Sequence, residues 1–252
     1  MTVMPELPEA ERARQTMETT IGRRISAVDD ADDYVARPHP PGEIADALTG
    51  HTIAAARRRG KFLWLDTEDG PTLGLHLGMA GRIVVDGEAA EPSRWDRFAL
   101  EFADGSRLAL RDKRRLGRAQ LDPDLGHLGP DAADIGRDAF RERIGKGHTA
   151  VKARLLNQRA IAGVGNLLAD QVLWQARLSP TRDTGSLSTD ELDRLRRELR
   201  SAVRSAIRHG GAHTGRFVQA RRTTGVCPRD GHVLDKATVG GRTTYSCPEC
   251  QR

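Results

Sequence analysis

Two hydrophobic periodicities divide this chain of 252 residues, and the change between them limits the folds that it can adopt. In the first half, short runs alternate apolar and polar residues, and Asp-Gly pairs beginning at Asp69, Asp86 and Asp104 separate several of them. Such alternation is typical of antiparallel hairpins that bury one face. The pattern predicts strands at residues 61–65, 72–77, 82–85, 97–102 and 107–111.

Helical spacing replaces this alternation after residue 128. Leu192, Leu195 and Leu199 recur at helical intervals behind Ser188, which opens a capping box, and Gly210 provides a stop. Further helices are predicted at residues 151–160 and 166–176 and, ahead of the strands, at residues 7–22.

Together these patterns predict an α+β fold in three parts. Residues 4–125 are expected to form an antiparallel β-sandwich domain with a leading helix. Residues 126–216 are expected to form a helical domain, and residues 221–252 a β-hairpin that carries the cysteines.

All three cysteines lie in the carboxyl-terminal segment, where Cys247 and Cys250 have the spacing of a chelating pair. The run that starts at Cys227 has Asp230 where a second thiol would stand, so His232 is the preferred fourth ligand and Asp230 the less favoured one. A hairpin this short has little core without a metal. We therefore expect one structural Zn²⁺ ion bound by Cys227, His232, Cys247 and Cys250; a metal-free hairpin with spare thiols is the alternative.

The charge balance favours a polyanionic partner. Lys and Arg total 40 against 35 Asp and Glu, a net charge of +5. The run Gly163-Val164-Gly165-Asn166 joins two predicted helices, so its N–H groups could bind a phosphate, although a plain structural turn has the same pattern. No apolar run is long enough to span a membrane and residues 1–11 lack a signal core, so we expect a cytoplasmic protein.

Seven short motifs follow one another in a fixed order along the whole chain. They are Met4–Glu11, Gly60-Lys61, His76–Gly81, Arg114–Gly117, Leu128–Pro130, Gly163–Asn166 and the hairpin ending in Cys250-Gln251-Arg252. This series resembles the formamidopyrimidine-DNA glycosylase and endonuclease VIII family. The resemblance implies a monomeric base excision repair enzyme with a helix-two-turn-helix DNA-binding domain and a zinc finger, acting on double-stranded DNA at the nucleoid of a bacterial-type cell.

The resemblance also implies the catalytic residues of a bifunctional DNA glycosylase/AP lyase, which removes oxidised or ring-opened bases and then nicks the strand. Pro5, as the amino terminus, would be the nucleophile, and Glu6 the general acid/base. Lys61 would assist β-elimination, and Arg242 would grip the phosphates and assist δ-elimination. Residues 1–3 stand ahead of Met4, so either translation starts at Met4, which is then removed, or the extension is trimmed; we expect a start at Met4. Otherwise the chain would be a catalytically silent damaged-DNA-binding protein of the same fold; a zinc-finger adaptor for protein partners is a third, more distant, class.

Base flipping leaves a gap in the duplex. The family fills it with three side chains, here Met79, Arg114 and Leu116, which we call the gap-filling residues. The other expected DNA-binding residues are Arg97, Arg115, His148, Lys152 and Asn166.

The chain also departs from the family pattern. His148, Leu168 and Gln171 replace a lysine, a tyrosine and a glutamate, and Trp95-Asp96-Arg97 replaces a His-x-His motif. The segment before Cys227 is short, which favours ring-opened purines, oxidised pyrimidines, abasic sites or an unusual adduct over 8-oxoguanine.

Overall fold

The computed structural model describes residues 4–87 and 91–252, which form two compact units. The first unit contains residues 4–5 and Ala10–Gly126. The second contains Glu6–Glu9 and His127–Arg252. Residues 1–3, on which the expected start of the chain depends, lie outside the described residues.

The first unit contains two four-stranded antiparallel sheets. One sheet has the strand order β1-β6-β7-β5 and the other the order β2-β3-β4-β8. Their strands are β1 (Ile25–Asp29), β2 (Ile53–Arg59), β3 (Phe62–Thr67), β4 (Leu73–His76), β5 (Arg82–Asp86), β6 (Asp96–Phe102), β7 (Arg107–Arg111) and β8 (Arg118–Leu121). This unit also contains helices α2 (Asp33–Ala36) and α3 (Glu43–Leu48). Helix α1 (Leu7–Glu18) belongs to it from Ala10 onward.

Both sheets contribute to one hydrophobic core. Phe98 and Leu100 of β6 are fully buried together with Leu63 and Leu65 of β3 and Leu75 of β4. Full burial of a side chain of this size contributes about 1.5–3 kcal/mol. The shared core confirms the predicted antiparallel β-sandwich.

The second unit is helical and ends in a β-hairpin. Its elements are α4 (Arg137–Ile144), α5 (Val151–Leu156), α6 (Asn166–Ala176), α7 (Thr189–His209), α8 (Arg216–Thr223), β9 (Asp235–Val239) and β10 (Arg242–Ser246). The capping box forms as predicted: Ser188 accepts from the N–H of Glu191, and the Glu191 side chain accepts from the N–H of Ser188. Gly210 then ends α7 in the left-handed conformation. Among the described residues, no helix has the length and apolar character needed to cross a membrane.

Several element boundaries differ from the sequence prediction. Helix α1 ends at Glu18, four residues before the predicted stop at Gly22. Helix α5 ends at Leu156 because Asn157 opens a turn, in which its Oδ1 accepts from the N–H of Arg159 at 2.9 Å. Strands β1, β2 and β8 and helices α2, α3, α4 and α8 were not predicted. Strand β2, with the sequence IAAARRR, shows no clear alternation, so pairing with β3 decides its conformation.

Candidate active site and metal centre

The carboxylate of Glu6 is bound by the amino terminus of α6. Glu6 is 1% exposed. Its Oε2 accepts from the N–H groups of Gly165 at 3.1 Å and Leu168 at 3.0 Å, and its Oε1 accepts from that of Leu167 at 2.7 Å. A helix N-terminus offers unpaired N–H groups to an anion. The sequence interpretation offered the N–H groups of the glycine-rich turn to a DNA phosphate, whereas Gly165 of that turn and two residues of α6 donate to Glu6.

Close packing fixes the position of Glu6 further. A Cβ at Gly165 would lie 2.3 Å from the Glu6 Cδ atom, so only glycine allows this approach. The N–H of Glu6 donates to Glu9 Oε2 at 2.9 Å, and Glu9 Oε1 accepts from the N–H of Ala212 at 2.8 Å. Both the main chain and the carboxylate of Glu6 are therefore held in place.

A buried polar network supports the strand that carries Arg242. The Lys152 side chain is fully buried, and its Nζ donates to Asp170 at 2.6 Å, to Thr244 Oγ1 at 2.7 Å and to the Thr243 carbonyl at 3.3 Å. Burial lowers the pKa of Lys152, and the charge of Asp170 opposes this shift. Because these bonds hold the residues that follow Arg242, the network positions the start of β10.

This burial contradicts the prediction that Lys152 contacts DNA, because all of its partners lie inside the protein. Asn166 donates from Nδ2 to the Thr243 carbonyl at 2.9 Å, so part of its amide also supports β10. His148 is exposed, with Nδ1 3.4 Å from the Asp183 carboxylate. Arg242 is exposed as well. For Asn166, His148 and Arg242, contact with DNA stays a prediction.

In the first unit, the buried carboxylate of Asp112 shapes the loop that carries two gap-filling residues. Its Oδ1 accepts from the N–H of Arg114 at 2.9 Å, and its Oδ2 accepts from those of Leu116 at 2.7 Å and Gly117 at 2.8 Å. The Asp112 carbonyl accepts from Arg97 Nε at 3.0 Å. One buried aspartate thus gathers three predicted DNA-binding residues.

The third gap-filling residue, Met79, lies on a neighbouring loop of the same unit and is 39% exposed. The preceding Gly78 has a positive φ of 58°, and a Cβ there would lie 2.3 Å from the Leu116 carbonyl oxygen. The two loops therefore pack backbone to backbone. This arrangement brings Met79, Arg114 and Leu116 to one region, as a gap-filling role requires; that role stays a prediction.

Arg115 is held in an ion pair within the first unit. Its Nε lies 2.9 Å from Asp32 Oδ2 and its Nη2 lies 2.7 Å from Asp32 Oδ1, a bidentate arrangement. The hydrogen bonds and charge of Asp32 raise the pKa of Arg115. A DNA contact by Arg115 would have to share this guanidinium with Asp32.

Lys61 lies in the turn between β2 and β3, close enough to His76 to affect its ionisation. Burial and then the positive charge of Lys61 lower the pKa of His76. His76 Nδ1 accepts from the N–H of Gly78 at 3.0 Å, which places the proton of a neutral imidazole on Nε2. Pro5, the predicted nucleophile, is buried.

Four side chains in the second unit converge as a metal site. The ligand atoms of Cys227, Asp230, Cys247 and Cys250 all lie within 4.8 Å of one another. The Cys227 and Cys250 sulfurs are 3.8 Å apart, and Cys247 Sγ is 3.2 Å from Asp230 Oδ2. Two thiolates at about 2.3 Å from one ion in tetrahedral geometry would be about 3.8 Å apart. The donor set therefore fits a tetrahedral metal ion.

The fourth donor of this cluster is Asp230, so the preference for His232 was wrong. Asp230 lies three residues after Cys227 in a turn in which the N–H of Gly231 donates to the Cys227 carbonyl at 2.9 Å. The carbonyl of His232 instead pairs with the N–H of Cys227 at 2.7 Å, and the imidazole remains 56% exposed. Slight burial opposes ionisation of Asp230, but hydrogen bonds from the His232 N–H and the thiols outweigh it and lower the pKa of Asp230 to about 2.

Trp174 and Arg229 contact the sulfur atoms of the cluster. Trp174 Nε1 donates to Cys227 Sγ at 3.3 Å, and Arg229 Nη1 lies 3.3 Å from Cys250 Sγ. Burial opposes ionisation of Cys227, but the Trp174 hydrogen bond and nearby backbone N–H groups outweigh it, so the pKa of Cys227 is lowered. Burial raises the pKa of Cys247 to about 12. A bound cation would have to offset this preference for the neutral thiol, because cysteine binds a metal ion as a thiolate.

Three aspartates organise these sites. The sequence interpretation did not select Asp112 or Asp170, and it ranked Asp230 second. Asp112 and Asp170 are fully buried, and Asp230 completes the cysteine cluster. Asp112 precedes the basic motif and Asp170 lies within the apolar helix α6. An acidic residue inside an apolar helix is the signal that could have indicated a buried ion pair, since charges are rarely buried without a partner.

Two protein-family models match successive parts of the chain. The formamidopyrimidine-DNA glycosylase N-terminal domain matches residues 4–119, and the formamidopyrimidine-DNA glycosylase H2TH domain matches residues 127–218. The fold and site thus define a DNA glycosylase of the helix-two-turn-helix class.

Individual relatives agree with both models. Formamidopyrimidine-DNA glycosylase of Salinispora arenicola is 34% identical over 98% of this chain and 96% of its own length. Two solved structures of Lactococcus lactis Fpg each cover 98% of this chain at 30% identity. One contains DNA with an abasic site and aligns over 99% of that chain with a TM-score of 0.86. The other contains FAPY-dG DNA and aligns over 100% of that chain with a TM-score of 0.85. This chain belongs to the formamidopyrimidine-DNA glycosylase family, which confirms the predicted fold and enzyme class.

The buried network predicts that Lys152→Met destabilises the protein. Removing the ammonium leaves the Asp170 carboxylate buried with Arg221 as its remaining ionic partner. We expect the free energy of unfolding to fall by about 3 kcal/mol, measured by chemical denaturation. Lys236→Met removes an exposed lysine of β9 and is the matched control, with a change below about 0.5 kcal/mol. Equal effects of the two substitutions would contradict the buried role.

Proposed function

We propose that this protein is a bifunctional DNA glycosylase/AP lyase that excises ring-opened or oxidised bases and nicks the strand, with Pro5 as nucleophile and Glu6 as general acid/base. The single observation that carries the proposal is the fixed carboxylate of Glu6, bound by three N–H groups at the start of α6. Glu6 directly follows Pro5 in the chain, so its position also restricts where the Pro5 nitrogen can lie.

The proposed covalent step uses the secondary amine of an amino-terminal Pro5. Its nitrogen attacks C1′ of the damaged nucleotide, the C1′–base bond breaks with its electron pair on the base, and a proton from Glu6 neutralises the leaving base. The Pro5 nitrogen then loses its proton, the C1′–O4′ bond of the sugar breaks with its electron pair on O4′, O4′ takes up a proton, and the nitrogen lone pair forms the iminium with C1′. A base then removes a proton from C2′, and the C3′–O bond breaks to leave a nicked strand.

Lys61 and Arg242 have supporting roles in this proposal. Lys61 is close enough to His76 to lower the pKa of that imidazole, so two basic groups of the first unit stand near one another. Lys61 would assist removal of the C2′ proton. Arg242 is exposed at the start of β10, whose backbone is held by Lys152 and Asn166, and would grip the phosphates around the lesion.

A cavity in the second unit suits an extruded base. It has a volume of about 310 Å³ and lies between α6, α7 and the turn before α8. Leu168 and Ala212, which line it, also donate their N–H groups to Glu6 and Glu9, so the cavity adjoins the catalytic carboxylate. Its volume lies in the usual range of ligand pockets.

The lining of this cavity includes two amide side chains and contains no carboxylate. Gln171 Oε1 accepts from the N–H of Phe217 at 3.0 Å, and Gln171 Nε2 donates to Gln175 Oε1 at 3.0 Å. The two solved structures of Lactococcus lactis Fpg contain DNA with FAPY-dG and DNA with an abasic site. We therefore take ring-opened purines and abasic sites as the primary substrates, in chromosomal DNA at the nucleoid of a bacterial-type cell.

Zinc is the metal that we assign to the cluster of three cysteines and Asp230. Thiolates with one harder donor in tetrahedral geometry are typical of structural zinc sites. Leu234 and the buried cysteines pack in a small apolar cluster with Trp174 of α6 and Phe217 of α8, so the hairpin has little core of its own. The ion would therefore supply much of the free energy that folds residues 227–250, which lead into and out of β10.

The first prediction concerns the amino terminus. A chain that begins at Pro5 should form a covalent adduct with abasic-site DNA when borohydride is present, detected by gel shift and mass spectrometry. A matched chain that begins at Met4 and keeps that methionine should bind the same DNA without an adduct, because Pro5 then has no free amine. Absence of the adduct from the chain beginning at Pro5 would leave a damaged-DNA-binding protein as the function.

The second prediction tests the Glu6 anchor. Gly165→Ala would place a methyl group 2.3 Å from the Glu6 Cδ and displace the carboxylate. We expect single-turnover base excision to fall by about 100-fold, the lower range for loss of a general acid. Gly136→Ala is the control, since a Cβ there has nothing within 4 Å. Normal excision by a correctly folded Gly165→Ala protein would exclude this role of Glu6.

The third prediction concerns the zinc ligands. Asp230→Ala should lower zinc affinity by more than the roughly 10–100-fold typical of losing an outer-shell partner, whereas His232→Ala should leave it unchanged. Asp230→Cys should retain the ion. Competition with a chromophoric chelator gives the affinities, and Trp174 fluorescence reports on the site because its Nε1 contacts Cys227. A larger loss in His232→Ala than in Asp230→Ala would reverse the ligand assignment.

A further inference from the structure

A second cavity in the helical unit has four basic side chains among its seven lining residues. It has a volume of about 290 Å³ and lies between the end of α4, the turn that follows it, α5 and the turn after α5. Its lining residues are Glu142, Arg143, Lys146, Arg154, Asn157, Arg159 and Ala160. We call it the basic cavity. It shares no lining residue with the cavity proposed for the extruded base.

The cations of the basic cavity form no ion pair with a carboxylate in the part of the chain that the structure describes. The ion pairs of the surrounding segment use Arg137, Arg141 and His148. Across residues 4–87 and 91–252, no ion pair includes Arg143, Lys146, Arg154 or Arg159. Glu142 is the single acidic lining residue. Four cations against one anion leave an excess of positive charge, which attracts a multiply charged anion.

Backbone carbonyls hold several of these cations in position. Arg154 Nη2 donates to the Lys146 carbonyl at 2.7 Å, and Arg143 Nη1 lies 3.3 Å from the Arg159 carbonyl. The Arg154 Nε atom is buried and has no hydrogen-bond partner among the described residues. A buried polar group without a partner calls for an explanation, and an acceptor bound in the cavity that Arg154 lines would supply one.

We propose that the basic cavity is a binding site for a phosphate group. Guanidinium groups bind phosphate oxygens through parallel N–H donors, and a tetrahedral group with several charged oxygens can meet donors from three sides. Arg143, Arg154 and Arg159 supply guanidinium groups, and Lys146 adds a flexible point charge. The phosphate can belong to a DNA backbone or be a free anion, and the recognition chemistry is the same.

The surroundings favour a DNA phosphate as the occupant. Gln158 lies between the two cavity residues Asn157 and Arg159. Its Oε1 accepts from the N–H of Gly163 and its Nε2 donates to the Val164 carbonyl, both at 2.9 Å. The cavity wall is therefore tied to the glycine-rich turn that leads into α6. Binding of a DNA phosphate in the basic cavity rests on the proposed function, whereas binding of a free phosphate does not.

The test compares two double variants of the full chain with equal changes in charge. Arg143→Gln/Arg159→Gln alters the basic cavity. Arg204→Gln/Arg208→Gln removes two exposed arginines of α7 and is the control. Binding to an undamaged duplex is measured over a range of salt concentrations. In the second arm, the Arg154 Nε–H resonance is followed by NMR during titration with inorganic phosphate, against sodium chloride of equal ionic strength.

For the cavity variant, we expect the slope of log K against log salt concentration to become less steep by about one unit, as the loss of one phosphate contact requires. The control should keep the slope of the parent protein. We also expect saturable phosphate shifts in the parent and control that are absent from the cavity variant. A smaller salt slope in the cavity variant assigns the site to a DNA phosphate. Phosphate-induced NMR shifts without a change in the salt slope assign it to a free anion. If the cavity variant matches the control in both arms, the proposal is wrong. Nicking of abasic-site DNA by the parent reports separately on the proposed function.

Discussion

One carboxylate joins the start of the chain to a helix whose first residue is number 166. Glu6 accepts three hydrogen bonds from the first turn of α6, and Gly165 leaves the space for it. The N–H groups at the start of α6 have no acceptor within the helix, and the buried carboxylate of Glu6 needs donors. The hydrogen bonds between them therefore satisfy both groups. A carboxylate held this way cannot change rotamer without losing several hydrogen bonds. The cavity of about 310 Å³ adjoins the same turn through Leu168.

The same helix organises the carboxyl-terminal hairpin. Lys152 and Asp170 form a fully buried pair, and Lys152 together with Asn166 holds the backbone at Thr243. Arg242 therefore stands on a strand that is fixed at one end by buried polar contacts, while the metal cluster lies just beyond the other end. This arrangement gives a short hairpin, with little core of its own, a defined position within the helical unit.

Sequence patterns predicted the ordered segments well where they were strongly periodic. Helices α6 and α7 and strand β7 have the predicted bounds, because their apolar spacing, caps and turns all agree. Strand β2 was missed because its alternation is weak and its partner strand decides its conformation. For the sites, the cysteines were found by spacing, but the choice between Asp230 and His232 depended on how one turn folds. Lys152 was assigned to DNA because sequence does not reveal burial.

By itself, the sequence determined the family, the α+β architecture and the presence of a cysteine cluster that could hold a metal, because these depend on residue identity and local spacing. Only the tertiary structure decided which partner each charge takes. It places Glu6 on α6, Lys152 on Asp170 and Asp112 beneath the loop of Arg114, contacts that are absent from any local pattern. It also leaves the four cations of the basic cavity without an ion pair among the described residues, because pairing depends on distances in space between residues far apart in the chain.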